Sequence, residues 1–195
     1  MVSLWSRSAS GPWRDTLASY EEVLDHQGVT KLPERDRWYR EELPAAIEAR
    51  RRRHVTLAEL VRITEWKMAR GVWRARNLIL VRGNDAAAVR EASTLALARV
   101  PHPTAPIATL AELAGVGPAT ASAVAAAAAP SIYPFFDELV AWQIPGLGKV
   151  AFTLGYYARY ADALRERALH LGPDWTPVMV ERALWAHVGG KAGAS

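Results

Sequence analysis

The sequence predicts an all-α fold of about nine or ten helices. Apolar residues recur at spacings of three and four almost throughout, alternating runs of β-branched residues are nearly absent, and the breaks between periodic stretches carry helix-capping chemistry. A chain of 195 residues, 50% of them apolar, buries a sizeable core as one domain or as two small lobes sharing an interface.

Taken in order, residues 1–14 form an arm whose Trp5 and Trp13 are able to dock onto the domain. Residues 15–99 form an N-terminal helical lobe. Within it, apolar spacing places helices at 15–27 and 34–53, and the second closes on Arg50, Arg51, Arg52 and Arg53, where positive charge complements the helix dipole. Thr56 caps a helix over 56–70, Gly71 breaks it from the next at 73–82, and Asn84 and Asp85 cap a helix over 85–99. The stretch "VPHPTAP" marks a linker at 100–107. Beyond it, in a second segment over 108–188, Leu110 and Leu113 share one face of a helix over 108–114. Gly115, Val116 and Gly117 then turn the chain, and Pro118 suits the first position of a helix over 118–129. The alanine run at 125–129 follows the overall composition and is given no functional weight. Asp137 caps a short helix at 138–143, a second glycine turn precedes a helix at 149–170, and Thr176 with Pro177 opens the last at 177–188. Residues 189–195, rich in Gly and Ala, are expected to be a disordered tail.

The absence of cysteine excludes disulfides, thiolate zinc sites and cysteine-ligated iron–sulfur clusters. His54, His102, His170 and His187 show no paired spacing on one helix, so no metal site is expected. The opening residues lack an apolar core of signal-peptide length, and no uncharged stretch is long enough to cross a bilayer. A soluble, cytoplasmic monomer without a membrane partner is expected. The net charge of +4 is modest but unevenly placed, with arginine concentrated at 50–53 and again through 62–82, a balance that permits a nucleic-acid partner.

The chemistry concentrates around "LAELAGVGPATASAV", residues 110–124. Gly115 and Gly117 are able to adopt positive φ and admit another backbone, leaving amide N–H groups at a helix N-terminus as a phosphate-sized anion site. Val116 is expected to point inward and lock the two helices. An ordinary helix–helix turn explains the same glycines. The whole stretch, however, resembles the helix-hairpin-helix signature of DNA-binding proteins, which implies a grip on duplex DNA through residues 115–120, with Gly115, Val116, Gly117, Ala119 and Thr120 in contact. The resemblance also implies a monovalent cation held by the loop carbonyls, and no other cofactor.

From Gly115 to Asp137 is 22 residues, with Pro134 three before the aspartate. That segment resembles the helix-hairpin-helix DNA glycosylase superfamily, in which an essential aspartate follows the hairpin. The chemistry has a use for it: cleavage of an N-glycosidic bond develops positive charge on the sugar, which an ionised carboxylate stabilises. Asp137 as a plain helix cap remains an equally good reading. Bifunctional members of the superfamily carry a lysine on the hairpin where this chain has Ala119, so the resemblance implies base release without strand cleavage. The residues after Asp137 depart from the superfamily, which follows its aspartate with polar groups where this chain has Glu138, Leu139, Val140, Ala141 and Trp142.

Three further groups complete the candidate site. In "SIYPFFD", residues 131–137, Tyr133, Phe135 and Phe136 offer walls for an extruded base, or plain core packing. In "TEWKMARGVWRARNLILVR", residues 64–82, Trp66 and Trp73 lie seven apart with Lys67, Arg70 and Arg74 beside them, a pattern suited to stacking on bases with cations on phosphates. This segment, together with the hairpin, resembles functionally uncharacterised glycosylase-like proteins of plants and fungi over residues 57–140. The adenine-glycosylase branch of the superfamily keeps a catalytic glutamate on an equivalent pocket helix, so resemblance to that branch implies Glu65 as a second catalytic candidate, for protonating the departing base; an exposed helical glutamate explains it equally simply. Finally "QIPGLGKVAFTLGYY", residues 143–157, repeats the glycine turn 31 residues on, with Gly146, Gly148 and Lys149 as a second set of DNA contacts. Two such turns give the main alternative, a non-catalytic DNA-binding protein with tandem hairpins. A third reading keeps the fold and exchanges DNA for a protein partner.

Overall fold

A computed structural model describes residues 3–193, and all regular structure among them is helical. A turn of 3-10 helix at Leu4–Ser6 leads into α1 (Ser10–Ala18) and α2 (Tyr20–Asp25). Next come α3 (Leu32–Arg37), a π-helical turn at Trp38–Glu42, α4 (Leu43–Glu48) and α5 (Leu57–Arg70). They are followed by α6 (Ala75–Arg82), α7 (Ala86–Ala98), α8 (Ala105–Leu110) and α9 (Pro118–Ala128). The chain closes with α10 (Glu138–Ala141), α11 (Leu154–Leu171), α12 (Pro177–His187) and a last turn, α13 (Gly190–Gly193). None of the described helices is long and apolar enough to cross a membrane.

The caps read from the sequence hold at α5, α7 and α12, and at α10 through Asp137. Thr56 and Glu59 form a reciprocal capping box on α5, Asp85 accepts from the Ala88 amide at 2.9 Å, and Thr176 accepts from the Met179 amide at 3.2 Å. Asn84 acts differently from the expected cap. Its side chain donates to the Ala114 carbonyl and accepts from the Ala114 amide, both at 2.9 Å, and so clamps the glycine turn onto the end of α6.

Both ends of the described chain belong to the fold. Trp13 is fully buried in α1, which packs on α12, and Trp5 meets it edge-on at 6.2 Å, so residues 3–14 are part of the domain and not a separate arm. At the other end Gln27 donates to the Gly189 carbonyl and accepts from the Ala192 amide, both at 2.9 Å, so residues 189–193 are held in place and not a disordered tail. The rest of that expected tail, 194 and 195, lies outside the described residues. One hydrophobic cluster runs from Leu4 to Ala186 across the stretch expected to be a linker.

Helix α9 lies at the centre. Its residues are small, mostly alanine, which lets α4, α5 and α8 approach it closely, and the alanine run set aside as compositional is part of the core. The extended chain after α9 is buried, and its polar backbone needs partners. Ser122 accepts from the Phe136 amide at 2.9 Å, while the Tyr160 and Tyr157 hydroxyls donate to the carbonyls of Phe135 at 2.6 Å and Pro134 at 3.3 Å. This web fixes the residues leading to Asp137.

The turn before α9 divides its two glycines by role. Gly115 has φ of 74°, and a Cβ there would lie 2.8 Å from both the Asn77 carbonyl oxygen and the Leu80 Cβ, because the turn presses directly on α6. Gly117 has φ of −96° and open space where a Cβ would go. Gly115→Ala is expected to lower stability by about 1–3 kcal/mol through the positive φ, and further through the clash, whereas Gly117→Ala leaves it nearly unchanged. Chemical denaturation of the two variants checks this.

Candidate functional site

The end of α5, the start of α9 and the segment leading into α10 meet around a pocket of about 340 Å³, within the range of small-molecule sites. Gly117, Pro118, Ala119 and Thr120 form one wall, and Phe135, Phe136 and Asp137 form another. Lys67, Gly71, Val72 and Arg74 close a third side.

The α9 wall presents backbone. No side chain caps the helix, Pro118 at its first position has no N–H, and no protein acceptor among the described residues takes the Gly117, Ala119 or Thr120 amides. The positive end of the helix dipole and these amides therefore favour an anion at this edge. Val116 is buried, as expected, and locks the turn inward.

Asp137 is both cap and pocket residue. One carboxylate oxygen accepts from the Leu139 amide at 2.9 Å, and the other lies 3.4 Å from Arg70 Nε. Burial raises its pKa above the usual carboxylate range, while the Arg70 guanidinium and the α10 amides pull it back toward ionisation.

Arg70 is not a DNA contact: its side chain is only 2% exposed. It donates to Glu181 of α12 in a very short hydrogen bond, and its guanidinium lies over Trp185 at 4.5 Å, Phe135 at 5.4 Å, Trp66 at 5.5 Å and Tyr20 at 5.8 Å. A cage of rings and carboxylates thus holds one buried cation directly behind Asp137. Burial pushes Glu181 up to about 7 despite Arg70, since Glu181 shares that single guanidinium with Asp137.

Other candidates are redistributed. Phe135 and Phe136 line the pocket. Trp66 is buried one layer behind, stacked on Tyr39 at 3.6 Å and donating to the buried Asp36 at 2.9 Å, so it supports Phe135 and touches no ligand. Tyr133 is likewise buried away from the pocket, its hydroxyl donating to the His102 carbonyl at 2.8 Å. Trp73 is exposed beside the pocket wall formed by Val72 and Arg74. Glu65 faces away, paired with Arg35 at 3.4 Å and Arg82 at 2.9 Å, and cannot act on a base in this pocket. Lys67 and Arg74, expected as cations for phosphates, line the pocket.

The second glycine turn copies the first only as far as its end. Gly146 and Gly148 both have positive φ, 81° and 72°, and the chain then runs without helix through Lys149 until α11 begins at Leu154. No helix N-terminus follows Gly148, so Gly146, Gly148 and Lys149 do not form a second anion site of the same kind. The sequence reading missed that this excursion returns Phe152 to the pocket, 5.3 Å from the Phe136 ring. It also missed Asn77 and Leu139 on the pocket wall.

Among the described residues no cluster of three or more His, Cys, Asp or Glu is arranged to hold a metal ion. Comparison with protein-family models, with curated proteins and with solved structures finds no match for this chain.

Proposed function

We propose that the protein binds duplex DNA and releases a damaged or mismatched base by cleaving its N-glycosidic bond. One observation carries the proposal: a single pocket lined by phenylalanine rings joins an uncapped helix N-terminus to a buried, cation-backed aspartate. The amides of Gly117, Ala119 and Thr120 take a backbone phosphate. The extruded base lodges against Phe135, Phe136 and Phe152. The ionised form of Asp137, which Arg70 and the α10 amides favour against the effect of burial, stabilises the positive charge that develops at C1′ and orients the attacking water. The tandem-hairpin alternative loses support because its second grip lacks a helix N-terminus.

Gly117→Asp separates binding from folding. An aspartate at this extended N-cap position satisfies the α9 amides and suits the dipole, so thermal stability is retained or raised. The same carboxylate repels a phosphate. Duplex affinity, measured by fluorescence anisotropy across a salt series, is expected to fall about tenfold or more with a shallower salt slope. Equal affinity of the variant and the parent would point instead to a protein partner.

A further inference from the structure

Base release as proposed uses none of the pocket's basic side chains, and of these Lys67 is the lysine that burial pulls down. Lys67 lines the wall formed by the end of α5, facing the cavity that Asp137 and Ala119 line from other sides. It makes no hydrogen bond or ion pair with any described residue, and its charged neighbour Arg74 has the same sign. Burial, reinforced by Arg74, pulls its ammonium down to about 8, so an appreciable fraction is neutral near physiological pH. An amine placed this way is poorly suited to salt-bridging a phosphate and well suited to nucleophilic attack on a carbonyl.

The carbonyl this pocket would hold, if the reading above is right, is the C1′ aldehyde of the ring-opened sugar left when a base departs. We propose that Lys67 forms an imine with that aldehyde and gives the protein a strand-cleaving activity, although the hairpin itself has Ala119. The neutral Nζ attacks C1′, the C–N bond forms, and the carbonyl oxygen leaves as water. Loss of a C2′ proton to a carboxylate, with Asp137 in the same pocket, drives the electron pair toward C3′ and breaks the C3′–O bond, with the 3′ phosphate as leaving group. Water then hydrolyses the imine, returning the free amine and an unsaturated aldehyde on the sugar. No electron is gained or lost overall.

The test uses the full chain and a duplex carrying a pre-formed abasic site, so that it does not depend on base release, with borohydride to reduce any imine. The expected result is a covalent protein–DNA adduct mapped by mass spectrometry to Lys67, with a trapping rate that rises with pH through about 8. Lys67→Arg keeps the charge but offers no nucleophilic amine, and should lose trapping about 100-fold while melting like the parent, with trapping compared at protein concentrations that saturate the duplex for each. Undiminished trapping in Lys67→Arg, or an adduct on Lys31, Lys149, Lys191 or the N-terminal amine, overturns the proposal. So does a protein that releases bases yet traps nothing, and in that case the glycosylase reading stands. Failure to bind duplex at all overturns both.

Discussion

Asp137→Asn is expected to reduce base release about 100- to 10,000-fold while leaving the fold and duplex binding intact. Asparagine caps a helix as well as aspartate does, so the hydrogen bond from the Leu139 amide survives. Arg70 keeps its pairing with Glu181 and remains compensated. What disappears is the negative charge facing the pocket, whose contribution is largest when the sugar carries positive charge. Single-turnover rates, read beside thermal melting and anisotropy, check the three parts together. A variant that released bases at the parental rate would reduce Asp137 to a cap.

Arg70→Met should destabilise the protein by about 3–5 kcal/mol, the usual loss when one member of a buried charge group is removed. Methionine fills much of the volume inside the cage of Trp66, Phe135 and Trp185, so the loss is chiefly electrostatic. Glu181 and Asp137 would then be buried without a cation, and their pKa values would rise further. The sign follows from linkage: a carboxyl raised in the folded state contributes stability below its unfolded pKa and loses it as pH rises through the folded one. The defect is therefore smallest below the ordinary carboxylate pKa of about 4 and grows toward and above pH 7. Adding Glu181→Gln to Arg70→Met should recover part of the loss, most clearly at the higher pH. Urea denaturation at a series of pH values measures both. A defect independent of pH would mean that packing, and not charge, governs this centre.

Local signals explain which parts were legible in the sequence. Helices α5, α7 and α12 start where Thr56, Asp85 and Thr176 announced them, because a cap acts within its own turn. Helix α1 begins earlier than expected, at Ser10, and that start left no signal because Ala9 precedes it without any capping side chain. The expected helix over 34–53 is bent through a π-helical turn and ends at Glu48, and α11 starts at Leu154 because Gly148 turns left-handed where Gly117 does not. The pairing of the hairpin with Asp137 was visible as spacing. The buried role of Arg70 was not, since its partner Glu181 lies 111 residues away and an arginine beside tryptophans reads as a surface contact. For the same reason Trp66 and Tyr133 read as pocket walls. Their burial is decided by Asp36 and His102, residues distant in sequence.

The most direct test of the central claim is a single-turnover incubation of excess protein with duplexes carrying alkylated, deaminated, oxidised or mismatched bases, followed by alkali to cut every abasic site. Strand breaks on at least one class of duplex, lost in Asp137→Asn, are the predicted result. Intact strands on every duplex, from a protein that nevertheless binds DNA in a salt-sensitive way through Gly117, would contradict it and leave the pocket without the chemistry assigned to it.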